Sequence, residues 1–223
     1  MRQLRQTVTG LAAAGALLTI ATGCGAPAYT YAADSHDQTY LKVPASWRQV
    51  NTQSVAEAQT ILLAKSAAGS AGGSLAWSRA YTAIKNPPYS SLLTASSEPV
   101  VYVSVQNVRT SLRGDLSFDL MRDLLFPVTP AARQEATAAG EKLPAGFSLI
   151  SNTTITTKYG MRGINELYEF DIAGQPDAFD QTVLTNIATS KLYLLLVQCY
   201  QGCFFAHRTQ IAAVINSFTV RGS

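Results

Sequence analysis

Residues 191–199 read KLYLLLVQC, and the six positions from Leu192 to Val197 are apolar or aromatic without a break. A strand turns successive side chains to opposite faces, so such a run has no side fit for water. It predicts a central strand covered on both faces. The fold must therefore supply a sheet around this strand and apolar cover above and below it.

The neighbouring segments supply the sheet. SLISNTTITTK and RGINELYEFDIAG are rich in Thr, Ile and aromatic residues. In the second, Ile164, Tyr168, Phe170 and Ile172 alternate with Asn165, Glu169 and Asp171, the period of a half-buried strand. QTVLTNIATS leads into the central run. Earlier, LAWSRAYTAI and PVVYVSVQNV read as strands, and YTYAADSHDQTYLKVPASW reads as two short strands around a polar turn. Helices are marked by their caps. SVAEAQTILLAKSAAG carries a Ser54–Glu57 capping box and stops at Gly69. GSAGGS at 69–74 reads as a flexible loop. GDLSFDLMRDLLF stacks Leu116, Leu120 and Leu124 and ends at Pro127. TPAARQEATAAG starts on Thr129 and Pro130 and closes at Gly140. FFAHRTQIAAVINSF gathers Phe204, Ile211, Val214, Ile215 and Phe218 on one stripe of a final helix. Consecutive strands on short turns imply hairpins. The expected fold is α/β: an α-β-α sandwich whose mainly antiparallel sheet has helices on both faces.

Composition narrows the function classes. The chain has 223 residues, 47% of them apolar, so a large core is within reach. Charged residues are only 14%. Arg2 and Arg5 account for two of the 17 Lys and Arg, and the remaining 15 face 14 acids. No basic stripe is left for a nucleic acid, so that partner is excluded.

The N-terminus has three zones. MRQLRQ carries two arginines and no acid, LAAAGALLTIA is an apolar run, and TGC brings small residues up to Cys24. The run falls short of the roughly 20 apolar residues of a transmembrane helix. Its layout is that of an export signal. Ala21, Thr22, Gly23 and Cys24 resemble the lipobox of bacterial lipoproteins, with Ala21 where that family most often has Leu. The resemblance implies a diacylglycerol thioether on Cys24, cleavage before it, and often a palmitate-type acyl chain on the new terminus. The plainer alternative is a secretory signal with an incidental cysteine. The expected organisation is a lipoprotein signal peptide over 1–23, a tether over 24–38 and one globular domain over 39–223. The expected place is the extracytoplasmic face of the cell membrane. As a coil the tether spans on the order of 20 Å.

In an exported chain, Cys199 and Cys203 (CYQGC) read as a disulfide that pins a strand end to a helix start. A loop this short contributes about 2 kcal/mol in the chain-entropy model. The sharper alternative is metal handling. His207 stands four residues after Cys203, so a continuous helix would turn Cys203 and His207 to one face and complete, with Cys199, a copper or zinc site. A redox role would belong with thioredoxin-like copper-handling lipoproteins, but only twenty residues follow Cys203, too few for that fold.

YLKVPASW at 40–47, together with a closing strand, helix and INSFTV, resembles the PsbP-like proteins over roughly residues 38–220. The resemblance implies an α-β-α sandwich around an antiparallel sheet. It also implies binding without catalysis; the plant member is an extrinsic photosystem II subunit. Trp47 is the candidate contact residue, with a core position as the plainer reading.

Catalytic signals are absent from the sequence. His36 lies in ADSHDQ with Asp34 and Asp37, three potential ligands in four residues, and a solvated turn explains them as well. No Gly-x-Ser-x-Gly elbow or phosphate-cradling loop occurs. Glu166, Glu169 and Asp171 fall along one strand, where a solvated sheet face accounts for them more simply than a glycosidase pair. The expectation is a non-enzyme without a cofactor: a membrane-anchored binding or scaffold module for an envelope protein or small ligand. Metal handling through Cys199, Cys203 and His207 is the alternative.

Overall fold

In the computed structural model, residues 27–50, 72–85 and 96–221 are described. The expected helix at 54–69 lies outside them, as do Cys24 and the signal segment.

The described chain forms β1 (Tyr29–Asp34), β2 (Thr39–Pro44), β3 (Arg48–Gln49), β4 (Gly72–Thr82) and β5 (Val100–Val108). A 3-10 turn at Thr110–Asp115 precedes α1 (Phe118–Arg122) and α2 (Pro130–Ala138). Then come β6 (Ser148–Thr156), β7 (Arg162–Ile172), β8 (Gln175–Thr185) and β9 (Lys191–Tyr200). The chain closes with α3 (Gln201–Ala206), α4 (Arg208–Ser217) and β10 (Thr219–Val220). The fold is mixed α/β and its described sheets are antiparallel throughout. Seven strands run in the order β3-β4-β5-β9-β8-β7-β6, and β1-β2-β10 form a second, small sheet.

The strand read as central is central. β9 lies between β5 and β8, and its residues from Leu192 to Cys199 are buried. Its even positions, Leu192, Leu194 and Leu196, join Tyr102, Ile164, Phe170, Phe179 and Val183 on the first face of the sheet. There Met121, Leu124, Leu125 and Val128, from α1 and the turn after it, complete the cluster. Its odd positions, Leu195, Val197 and Cys199, face the second side with Val101, Val103 and Tyr81. Ile211 and Val214 of α4, together with Leu41 and Val43 of β2, close that side.

Several segments depart from expectation for local reasons. Gly72 to Ser74 belong to β4 rather than to a glycine loop, where the pairing is interrupted by bulges. The helix expected over 114–126 is the short α1, capped when Leu120 N donates to Ser117 Oγ. Thr129 and Pro130 do start α2, with Ala132 N donating to Thr129 Oγ1. The final helix breaks at His207 (φ −100, ψ 11) into α3 and α4. Part of the range expected as a tether, 24–38, is strand instead. Tyr29–Asp34 pair with Thr39–Pro44 along their whole length, which draws them into the fold.

The β7–β8 hairpin turns on Ala173 and Gly174, both at positive φ (51 and 80). That is the two-residue geometry whose twist suits a hairpin. Further along the pair, Gly163 faces Leu184, and a Cβ there would sit 1.8 Å from the Val183 carbonyl oxygen. Backbone cannot yield as a side-chain tip can. Gly163→Ala is expected to lower stability by more than about 2 kcal/mol. Chemical denaturation followed by tryptophan fluorescence measures the loss.

Candidate functional site

Cys199 and Cys203 form a disulfide. It joins the last turn of β9 to α3, as the spacing suggests, and Cys199 lies in the core against Ile211 and Val214. Both sulfurs are therefore bonded to each other. His207 sits at the helix break, with Nδ1 3.1 Å from Gln210 Oε1 and Nε2 3.5 Å from Glu98 Oε2. The three-ligand arrangement of Cys199, Cys203 and His207 is not assembled.

The His36 turn is likewise engaged from within. His36 N donates to Asp34 Oδ1 (3.1 Å), and His36 Nδ1 lies 3.2 Å from Asp37 Oδ1. Asp37 is buried and ion-paired with Lys191 at the start of β9. Its carboxylate ties the β1–β2 turn to the central strand. Trp47 is 5% exposed and packs with Leu41, Val43, Tyr81 and Val101. It is a core residue rather than a surface contact.

Sequence reasoning missed a polar row on the first face. Glu166 falls in phase with Ile164 and Tyr168, so the pleat carries it inward, whereas Glu169 and Asp171 face the other way. Glu166 is fully buried. Gln181, opposite it on β8, donates to Glu166 Oε1 (3.2 Å) and to the Met121 and Arg122 carbonyls (2.9 and 3.2 Å). Tyr168 donates to Gln181 Oε1 (3.2 Å). The other Glu166 oxygen has no hydrogen-bond partner, nor has either carboxylate oxygen of the buried Asp177. Burial, with the nearby Asp123 charge, pushes the Glu166 carboxyl up to about 8, against a smaller opposing effect of Arg122. Burial lifts Asp177 to about 7. It lifts Asp180 to about 6, partly offset by a hydrogen bond from Asn165. Glu166 and Asp177 sit within packing rather than in a cleft, and Asp180 is half-buried beside Asn165. Only the strand phase could have signalled Glu166.

The surface feature lies at the sheet's end. β6 is exposed on both faces, with Leu149 at 45% and Ile150 at 50%. Among the described residues no strand pairs with its outer side. Its register with β7 slips between Leu149 and Ser151, so a bulge re-aims the strand there. On the first face a groove of about 620 Å³ runs between β6 and the α1–α2 region. Asp115, Asp119, Asp123 and Glu135 line it with Arg122, Leu149 and Asn152. Arg122 pairs with Asp119 and donates to Asn152 Oδ1 (3.1 Å). Asp123 is held by the Val128 and Thr129 amides, 2.8 Å each. On the second face a groove of about 520 Å³ is lined by Ile150, Leu167, Ala178, Phe204 and Phe205 together with Glu169, Gln201 and Arg208. Phe205 is 70% exposed beneath the Arg208 guanidinium. The long uncharged strand thus divides an acidic groove from a mainly apolar one that carries one carboxylate and one guanidinium.

No protein-family model and no curated protein matches the chain. Similar solved structures include the cyanobacterial PsbP, CyanoP, of Synechocystis sp. PCC 6803, at 14% identity and a TM-score of 0.48, covering 91% of this chain and 98% of that one. LpqN of Mycobacterium tuberculosis, described as involved in cell envelope biogenesis, is 11% identical with a TM-score of 0.45, covering 82% of each chain. The Ran-binding protein Mog1p of Saccharomyces cerevisiae is 5% identical with a TM-score of 0.44, covering 87% of this chain and 96% of that one.

The buried acids make a checkable statement about pH. Their folded values lie above the ordinary 4.5 and 3.8, so the folded chain keeps protons that the unfolded chain releases. Their contribution to stability is complete below about pH 4 and is lost as pH rises through about 6 to 8. Glu166→Gln is neutral at every pH. It should flatten this decline and raise stability at pH 9 by on the order of 1–3 kcal/mol. Urea unfolding at pH 5 and pH 9 measures both effects.

Proposed function

We propose that this chain is a non-catalytic binding or scaffold module tethered through Cys24 at the outer face of the cell membrane. A helix-flanked sheet of the PsbP-like kind carries it, and the edge of that sheet receives an envelope protein. One observation supports the docking reading above the rest. β6 runs for nine residues along the end of the seven-stranded sheet with both faces exposed and its outer side unpaired among the described residues. A strand edge of that length presents a row of backbone donors and acceptors, which is a template for another strand. The opposite end of the sheet is treated differently. β3 there has two residues, one of them Arg48, and a short charged edge discourages pairing.

The tether reading is supported by the order of positive, apolar and small residues before Cys24. One acyl chain holds weakly and two or three hold firmly, at about 0.8 kcal/mol per buried methylene.

Two measurements in cells test the two halves separately. Labelling with an alkynyl palmitate analogue should mark the wild type and leave Cys24→Ser unmarked; an unmarked wild type would remove the anchor. A photocrosslinking residue at Ile150 should give a discrete adduct with an envelope protein. That adduct should disappear when Ser151→Lys and Thr153→Lys charge the edge. An adduct that persists with the charged edge would remove β6 as the docking site.

A further inference from the structure

We propose that β6 receives an extended peptide segment in which basic and apolar side chains alternate. This rests on the reading of the chain as a docking module and names the chemistry of its partner.

The argument begins with the pleat. A strand added beside β6 would lie about 4.8 Å further out and send alternate side chains to opposite faces. The two faces it would meet are chemically unlike. On the first, Leu149 and Asn152 form the wall of a groove whose ionisable lining is four carboxylates and one guanidinium. Arg122 is already paired with Asp119, and Asp123 is taken up by the turn before α2. Asp115 and Glu135 are exposed and left to act on whatever enters. A lysine or arginine on that side of the incoming strand answers this charge. On the second face, the bulge turns Ile150 toward Leu167, Ala178, Phe204 and Phe205. The neighbouring Ser151 and Thr153 are small, so an apolar side chain can reach across them. Phe205, exposed over most of its surface, would be covered there.

A second copy of the chain fits less well. β6 itself reads SLISNTTIT and carries no charge. Paired with its own copy, it would bring no cation to either acidic groove and would set two sets of carboxylates beside one seam. An acidic or uniformly apolar segment would leave one groove unanswered in the same way. The complementary segment is therefore of the form basic-apolar-basic-apolar, over about the length of β6.

The experiment uses the full chain in mild detergent and two blocked peptides, Ac-KVKVKVK-amide and Ac-EVEVEVE-amide, at concentrations where each sediments as a monomer. Calorimetry should show binding of the lysine peptide only, weakening as salt rises. Hydrogen exchange should slow on the β6 amides and not on those of β3. Asp115→Asn with Glu135→Gln should weaken that binding by about fivefold while leaving the unfolding midpoint in place. Equal binding of the two peptides would overturn the charge argument. Protection outside β6 would overturn the site. Dimeric protein with β6 amides already protected before peptide is added would give the edge to a second copy. The Ile150 adduct is read in cells without either peptide. An adduct lost on charging the edge, beside a lysine peptide that fails to bind, would keep the docking module and discard its proposed partner chemistry.

Discussion

Everything in this fold is arranged around covering β9 twice. Its side chains are apolar on both faces, so neither side of the strand can meet water. The antiparallel neighbours β5 and β8 satisfy its backbone, and the two clusters above and below satisfy its side chains. The segment from Phe118 to Val128 closes one face, and α4 with the β1–β2 hairpin closes the other. Lys191, at the foot of β9, reaches the buried Asp37 and fixes the hairpin to the sheet at the same point. The disulfide does the matching job at the far end, holding α3 to the strand it follows. The central strand is thereby anchored at both ends by bonds other than the sheet ladder.

The first face is not uniformly apolar, and this separates structural from functional polarity. Glu166, Gln181 and Tyr168 form a connected group under α1, and their bonds run to one another and to the helix carbonyls. A buried carboxyl in such a place is stable when neutral, because desolvation acts on the charge and not on the acid. The surrounding aromatic rings, Phe126, Tyr168, Phe170 and Phe179, lie with centroids 5.1 to 6.3 Å apart. They exclude water from the row. Its chemistry is directed inward, away from the exposed strand at the sheet's end.

Individual residues show how much was legible in advance. The unbroken run at Leu192–Val197 specified a two-sided central strand because no other strand position tolerates it. Thr129, Pro130 and Gly140 marked α2 because caps act within a few residues. The tail reads as one helix because its hydrophobic stripe continues through His207, while the backbone breaks there. A period reports which side is buried and says nothing of a break. Glu166 was placed with its neighbours as an acid of a solvated face, although its phase with Ile164 and Tyr168 points inward. Charge alone favours the solvated face, and the pleat carries Glu166 inward.

Local rules therefore reach the strand types, the caps and the bridged pair, since each depends on residues close together in the chain. The candidate site does not share that property. The sequence SLISNTTIT names a strand, but it cannot say that this strand is last in the sheet. Nor can it say that α1 and α2 bring their carboxylates to one side of it while Phe204 and Phe205 come to the other. Those are long-range facts, set by strand order and by the helices that cover β9. Only the tertiary structure turned an unremarkable polar strand into an exposed edge between two chemically different grooves.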